Sequence, residues 1–163
     1  IANIEAQLQR AVASSSHQFR LIDPQETMGG RSGQLMRLHE AVGQSILAYD
    51  YGPMKLPSKA KAFEWTIGEG AQSLGQLYDA DYALFTYGRG AYSSGGRIAT
   101  SLVASAFGVA IPLGSQQVFV SLVDLRTGRV IWFNVAVAGP SADMRNDEGA
   151  QSLVESVMKG APL

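Results

Sequence analysis

The sequence predicts an α/β (α+β) fold in which helices cover a small mixed sheet that carries a C-terminal antiparallel hairpin. Two runs of β-branched and aromatic residues, 118–125 and 129–137, flank a short loop that ends in glycine, which is a strong hairpin signal. Helical patterns of apolar residues occur before and after these strands. The combination of both patterns in one chain predicts helices packed on a sheet.

The length of 163 residues suits a single domain, 1–163, that buries a core without disulfides. Apolar residues make up 46% and charged residues 17% of the chain, which is typical of globular proteins. Because the chain has 13 basic and 14 acidic side chains, it lacks the excess of positive charge that is typical of nucleic-acid binding proteins, and the composition disfavours that function. Cysteine is absent, so the sequence excludes disulfides, thiolate metal sites and cysteine nucleophiles.

The N-terminal part predicts a helix followed by a strand. An amphipathic helix ends in the serine tract at 14–16, and its apolar positions are Ile1, Ile4, Leu8, Ala11 and Val12. The segment 19–23 reads as a short strand that Pro24 stops, because proline cannot donate to a sheet.

A helical excursion is predicted at about 33–78. Its first helix presents one apolar face, made of Leu35, Leu38, Val42, Ile46 and Tyr49. Glycine and prolines in 50–59 break that helix, and a second helix is predicted over about 61–78. Glycines at 68, 70 and 75 each cost about 1 kcal/mol against alanine, so we expect packing to hold this second helix.

The middle of the chain predicts a strand and an insertion. Residues 81–87 are aromatic and apolar on both faces, which predicts a buried central strand, and the glycine-rich connector 88–97 follows. An apolar insertion lies at about 97–114. Within it, 98–113 is shorter than a transmembrane helix, so the sequence favours a helix packed on the body over a membrane-touching or oligomer-forming face and over a true span.

The last helix is predicted to begin after Asn146, whose side chain can cap it. Asp147 and Glu148 lie in its first turn, where their negative charges interact favourably with the exposed backbone amides and the helix dipole. Its buried stripe is predicted to be Ala150, Leu153, Val154, Val157 and Met158.

Three stretches carry a family resemblance: FRLID at 19–23, LYDADYALFTYGRG at 77–90 and QVFVSLVDLRTGRVIWFNVAVAG at 117–139. With the helix that precedes the first stretch, they resemble bacterial envelope domains related to the N-terminal part of TolB, the curli-secretion protein CsgG and the penicillin-binding-protein activator LpoB. The resemblance covers about half of the chain.

The resemblance implies an outer-membrane lipoprotein or periplasmic adaptor that binds protein partners and has no catalytic residues. It also implies a membrane tether in a segment upstream of Ile1, where the first strand of the group would lie. The stretch 88–114 is a long insertion relative to the compact members. Because this insertion lacks the alternating pattern of barrel strands, pore formation is not implied.

Residues that carry chemistry form no catalytic or metal-binding pattern in the sequence. His17 and His39 lack a second ligand at helical spacing, and no serine lies in a G-x-S-x-G elbow. The connector 88–97 lacks both the Rossmann glycine spacing and the Walker lysine. We therefore predict no enzyme activity, no cofactor and no metal.

The residues best suited to contact a partner are aromatic or arginine, the types enriched at interface hot spots. Around the connector they are Tyr87, Arg89, Tyr92 and Arg97. Trp65 lies off the main apolar stripe of its predicted helix, so we expect it to be exposed and to add a further contact.

These observations predict a non-enzymatic cell-envelope lipoprotein or adaptor domain that binds protein partners in assembly or secretion. The expected location is the periplasm, anchored to the outer membrane. Two alternatives remain open. One is a small-molecule or nucleotide-binding domain that uses the connector 88–97, and the other is a self-associating structural subunit, a homo-oligomer, that uses 98–113.

Overall fold

A computed structural model describes residues 2–13, 15, 17–59, 62–90, 104–105, 116–138 and 143–163. Within these ranges the helices are α1 (Ala2–Ala13), α2 (Gly30–Ile46), α3 (Gln72–Tyr78) and α4 (Asp147–Val157). The strands are β1 (Trp65–Thr66), β2 (Tyr82–Gly90), β3 (Gln116–Asp124) and β4 (Arg129–Ala138). A π-helical turn, Leu47–Tyr51, extends α2, and 3-10 turns occur at Pro24–Thr27, Pro57–Lys59 and Glu69–Ala71. The predicted mixed α/β class is confirmed.

The four strands form an antiparallel sheet in the order β1-β4-β3-β2. The predicted hairpin is confirmed as β3 and β4. Gly128 in its turn has a φ of +72°, which favours glycine, and its N–H donates to the Asp124 carbonyl at 2.7 Å. β1 pairs with the other side of β4, where Trp65 lies opposite Val130.

β3 is the most buried strand of the sheet. Its fully buried residues, each 0% exposed, are Val118, Phe119, Val120, Ser121 and Val123. The prediction of a buried central strand at 81–87 is wrong, because β2 lies at the edge of the described sheet and buries only Phe85. The more uniformly apolar β3 is instead an interior strand, between β4 and β2, since a strand covered on both faces gains most from apolar residues on both faces.

The chain divides into two compact units. The first unit comprises residues 1–19, 88–119 and 134–163, and in it α1 packs against α4. The buried residues of these helices include Ile4, Leu8, Val12, Leu153, Val154 and Val157. Gln7 Nε2 donates to Asp147 Oδ1 at 3.1 Å. The predicted cap of α4 is confirmed, because the Asn146 side chain accepts from the Gly149 N–H at 2.7 Å.

The second unit comprises residues 20–87 and 120–133. Its helix α2 buries Gly33, Leu35, His39, Gly43 and Ile46. The predicted apolar face is therefore wrong in part, because Leu38 is 44% exposed and His39 is buried. His39 enters the core because Ser121 of β3 offers it a hydrogen-bond partner, and the buried stripe rotates with it.

The predicted strand at 19–23 is wrong. The chain there has no regular secondary structure, and Leu21 is 59% exposed. Asp23 Oδ1 accepts from the Gln25 N–H at 2.8 Å and caps the 3-10 turn that follows. Apolar residues alone do not make a strand, because its backbone needs a neighbouring strand, and none pairs with this segment among the described residues.

The predicted helix at about 61–78 is wrong in its first part. Thr66 belongs to β1, and the N–H of Ile67 donates to the Gly128 carbonyl at 2.8 Å. Gly68 has a φ of +77°, which is incompatible with a helix, so α3 begins only at Gln72. The apolar residues of this segment have helical spacing, but its hydrogen bonds to the hairpin hold it in an extended conformation.

The predicted helix of the apolar insertion, 98–113, lies outside the described residues except for 104–105, which are helical. Among the helices that the structure describes, none has the length and apolar character needed to cross a membrane.

Candidate functional site

The sheet separates the predicted contact residues. Trp65 lies on β1, whereas Tyr87 and Arg89 lie on β2, and these strands form opposite edges of the described sheet. Tyr92 and Arg97 lie outside the described residues. Trp65 therefore does not share a surface with the two described residues of the β2 strand.

Trp65 is 9% exposed, so the expectation of an exposed contact is wrong. Its Nε1–H donates to Asp50 Oδ2 at 2.5 Å. The Lys59 ammonium lies 5.1 Å from the centre of the indole, a distance at which a cation is attracted to the ring. These contacts join β1 to the turns that precede it, which gives Trp65 a structural role.

β2 continues to Gly90, so the first three residues of the predicted connector 88–97 are strand. Tyr87 is half-buried and Arg89 is exposed. Side chains two residues apart on a strand point to the same face, so Tyr87 and Arg89 share a face of β2. The remainder of the connector, on which the predicted nucleotide-binding alternative depends, lies outside the described residues.

The chain reverses sharply between α3 and β2. Asp79 ends α3 in the left-handed conformation, with a φ of +52°. The N–H of Ala80 donates to the Gly75 carbonyl at 3.1 Å and closes the end of the helix. This reversal brings Asp81 next to the hairpin, where its carbonyl accepts from the Leu125 N–H at 2.9 Å.

A shallow groove of about 430 Å³ lies at this reversal. Its lining residues come from α3, from the approach to β2 and from the hairpin: Gln72, Gly75, Gln76, Asp79, Ala80, Asp81, Leu125 and Arg126. Gln72 Nε2 donates to the Arg126 carbonyl at 2.8 Å, which holds α3 against the hairpin. The groove is therefore polar at its rim and bounded by hydrogen-bonded backbone.

Arg126 and Tyr82 form an exposed pair at this groove. Arg126 Cζ lies 6.0 Å from the centre of the Tyr82 ring, and Tyr82 is 49% exposed. Arg126 also donates to Asp124 Oδ1, through its backbone N–H at 2.8 Å and through Nε at 3.4 Å. Desolvation acts against the ionised carboxylate, but these hydrogen bonds hold the pKa of Asp124 below its ordinary value. The guanidinium is thus held beside the ring.

We call Tyr82, Arg126 and the groove the Tyr82 surface. Its side chains are an aromatic ring, a guanidinium, amides and carboxylates, which suits recognition of a protein chain. In the sequence, Arg126 directly follows one predicted strand and Tyr82 is the second residue of another. Only the order of the strands, with β2 next to β3, brings the two residues together.

A second polar arrangement lies in the core of the second unit. His39 Nε2 and Ser121 Oγ share a hydrogen bond, and the His39 ring stacks on Phe85 with ring centres 4.3 Å apart. The exposed fractions are 3% for His39 and 0% for Ser121. Because neither side chain reaches solvent, this histidine and serine serve the packing of α2 on the sheet.

No group of three or more His, Asp or Glu side chains that could hold a metal ion is found in the described part of the chain. Comparison of the chain with protein-family models, curated proteins and solved structures finds no match.

Proposed function

We propose that this chain is a non-enzymatic cell-envelope domain that binds a protein partner through the Tyr82 surface. The exposed pair of Tyr82 and Arg126 beside the groove is the observation that carries the proposal. Tyrosine and arginine supply a large share of the binding energy at protein interfaces. The domain acts as an adaptor or assembly factor in the periplasm at the outer membrane, which the resemblance to the TolB, CsgG and LpoB group supports.

Two features of the Tyr82 surface favour binding. Arg126 is already held by Asp124, so fixing its side chain against a partner costs less conformational entropy than fixing a free arginine. Tyr82 begins β2, an edge strand of the described sheet, and edge strands are common places for a partner chain to add.

Site-specific photo-crosslinking in the native host tests whether a protein partner binds the Tyr82 surface. A photoreactive phenylalanine analogue replaces Tyr82 in one strain and Ile131, which is 47% exposed on β4, in another. We expect a defined protein adduct from position 82 only. Arg126→Glu is expected to abolish that adduct, because a reversed charge at a hot spot costs about 2 kcal/mol or more, which is roughly 30-fold in affinity.

Arg129→Glu is the matched control, since Arg129 is an exposed arginine on the same hairpin. It is expected to leave the adduct unchanged. Equal adducts from positions 82 and 131, or equal losses from the two charge reversals, would show that the Tyr82 surface does not bind the partner.

Fractionation of the natural gene product in its own host tests the location separately. The proposal expects the protein in the membrane fraction of the envelope, with the mass of a lipidated product. A product confined to the cytosol contradicts the envelope assignment, whatever the crosslinking shows.

A further inference from the structure

The two edges of the described sheet differ in length. β1, at one edge, has 2 residues, whereas β2, at the other, has 9. Natural proteins protect an edge strand from pairing with other chains by making it short or by placing lysine, proline or a bulge in it. β1 is protected by its shortness. β2 contains neither lysine nor proline, so its open edge is suited to pairing with another strand.

The backbone of β2 offers hydrogen-bonding groups along this open edge. The carbonyl of Asp81, directly before β2, accepts from the Leu125 N–H and so faces the hairpin. Backbone groups of successive residues in an antiparallel sheet alternate between the two sides of the strand. The residues whose N–H and C=O groups are directed away from β3 are therefore Tyr82, Leu84, Thr86 and Gly88.

This pattern permits β2 to pair with the same strand of a second copy. Two identical edge strands pair antiparallel about a twofold axis, and each contact then occurs twice. With the axis at Phe85, residues equally far on either side of it lie opposite one another. Tyr82 then lies opposite Gly88 of the other copy, and both residues direct their backbone groups to the open edge. The register therefore allows hydrogen bonds between the copies.

The same register brings opposite charges together. Asp81 lies opposite Arg89 of the other copy, and the symmetry repeats this pair. Both side chains are exposed, and neither forms a hydrogen bond or an ion pair within the described part of the chain. Directly opposed unlike charges stabilise paired strands, whereas like charges destabilise them. Moving the axis by one residue in either direction separates both pairs, so the charges select this register.

Neighbouring charges leave this complementarity intact. Beside Asp81, the guanidinium of Arg126 is held by Asp124, and Asp79 adds a further carboxylate to the groove. The surroundings of Asp81 therefore remain negative. Beside Arg89, β2 has no other charged residue, and β3 has none before Asp124. The two ends of β2 thus carry opposite charge.

We propose that two copies of this chain pair antiparallel through β2, with the twofold axis at Phe85. The Tyr82 ring, which is 49% exposed, then lies across Gly88 of the other copy, where the absence of a side chain leaves room for it. This inference rests on the proposed function, because it names a second copy as the partner that adds to β2.

Sedimentation equilibrium of the purified protein tests the pairing. We expect the wild type to form a dimer as its concentration increases. Asp81→Arg and Arg89→Asp each place like charges opposite one another at both pairs, so each variant alone should dimerise at least about tenfold more weakly.

An equimolar mixture of the two variants provides the decisive comparison. In a dimer of one copy of each variant, both pairs again consist of opposite charges. The mixture is therefore expected to dimerise as the wild type does. Restored dimerisation also shows that both variants fold, because an unfolded variant has no β2 strand to pair.

The matched control variants are Glu26→Arg and Arg129→Asp. They reverse one exposed acidic and one exposed basic residue outside β2. Each is expected to dimerise as the wild type does. A wild type that stays monomeric at every concentration, equal losses in the β2 variants and the controls, or a mixture no more dimeric than the separate variants would overturn the proposal.

Photo-crosslinking from position 82 separates this inference from the proposed function. An adduct with twice the mass of the chain supports the second copy as the partner. An adduct with a different protein, together with a monomeric purified protein, overturns the pairing and leaves the proposed function standing. A charge-dependent dimer of the purified protein without any adduct from position 82 in the host supports the pairing and contradicts the Tyr82 surface.

Discussion

His39 on α2 and Ser121 on β3 share a hydrogen bond in the core of the second unit. The imidazole is 3% exposed and lies nearly parallel to the Phe85 ring, with 18° between their planes. Burial lowers the pKa of His39 from 6.5 to about 4, because the charged form loses its hydration. A neutral histidine therefore joins the helix to the sheet near neutral pH.

The first prediction concerns the pH dependence of stability. Between pH 6.5 and about 4, His39 binds a proton in the unfolded chain but not in the folded one. The contribution of His39 to the free energy of unfolding is therefore fully present above pH 6.5. It decreases as the pH falls, by roughly 3 kcal/mol near pH 4. Urea unfolding at pH 7 and pH 4.5 should show a smaller loss for His39→Gln than for the wild type.

His17→Gln provides the control, because His17 is exposed. Its loss of stability between the two pH values should equal that of the wild type. An unchanged loss in His39→Gln would mean that other groups, and not this histidine, dominate the acid sensitivity.

The second prediction is that a substitution at Gly128 disrupts the contact between the hairpin and the segment before α3. A Cβ at this position would lie 2.0 Å from the Gly68 carbonyl oxygen, and the φ of +72° is unfavourable for alanine. We expect Gly128→Ala to cost about 3 kcal/mol or more in the free energy of unfolding, from backbone strain and overpacking together.

The matched variant is Gly30→Ala. Gly30 also has a positive φ, +56°, but a Cβ there would meet no atom within 4 Å. Denaturant titration should give a cost of about 1 kcal/mol from strain alone. Similar costs at both positions would contradict the close approach of Gly128 to Gly68.

The hydrogen bond between Trp65 and Asp50 gives the third prediction. Asp50→Ala removes the acceptor of the buried indole N–H and should destabilise the protein by about 1 to 3 kcal/mol. Asp50→Asn keeps a side-chain oxygen and should restore most of that loss. Thermal unfolding of both variants measures the difference, and an equal loss in the two would show that the carboxamide cannot replace the carboxylate.

The fourth prediction concerns the start of α4. Asn146→Ala removes the acceptor for the Gly149 N–H and should cost about 1 kcal/mol of stability. Ser152→Ala changes an exposed residue within the same helix and should cost little. Chemical denaturation of the two variants compares them directly, and a larger effect at Ser152 would argue against the cap.

The sequence predicts well those elements whose signals are local. The spacing of Ile4, Leu8 and Val12 defines the buried side of α1, and Asn146 marks the start of α4. The glycine between two apolar runs locates the hairpin. Each of these signals depends on residues a few positions apart, so it can be read before the fold is known.

The Tyr82 surface shows the limit of such inference. From the sequence, tyrosine and arginine are recognisable as residue types suited to a contact surface, and Arg89 lies exposed on β2. The sequence does not single out Tyr82 and Arg126, because Arg126 lies 44 positions after Tyr82 and only the pairing of β2 with β3 makes them neighbours. The sequence also does not predict the burial of Trp65, because that burial depends on Asp50 and on the pairing of Trp65 with Val130.

Periodicity and turn chemistry act over short distances, so the sequence predicts the fold class, α1, α4 and the hairpin correctly. Only the folded chain shows which strands lie inside the sheet, and it places His39 in the core and Leu38 at the surface. Those choices depend on which distant residues can satisfy a polar group or cover an apolar one, and burial is a property of the assembled chain.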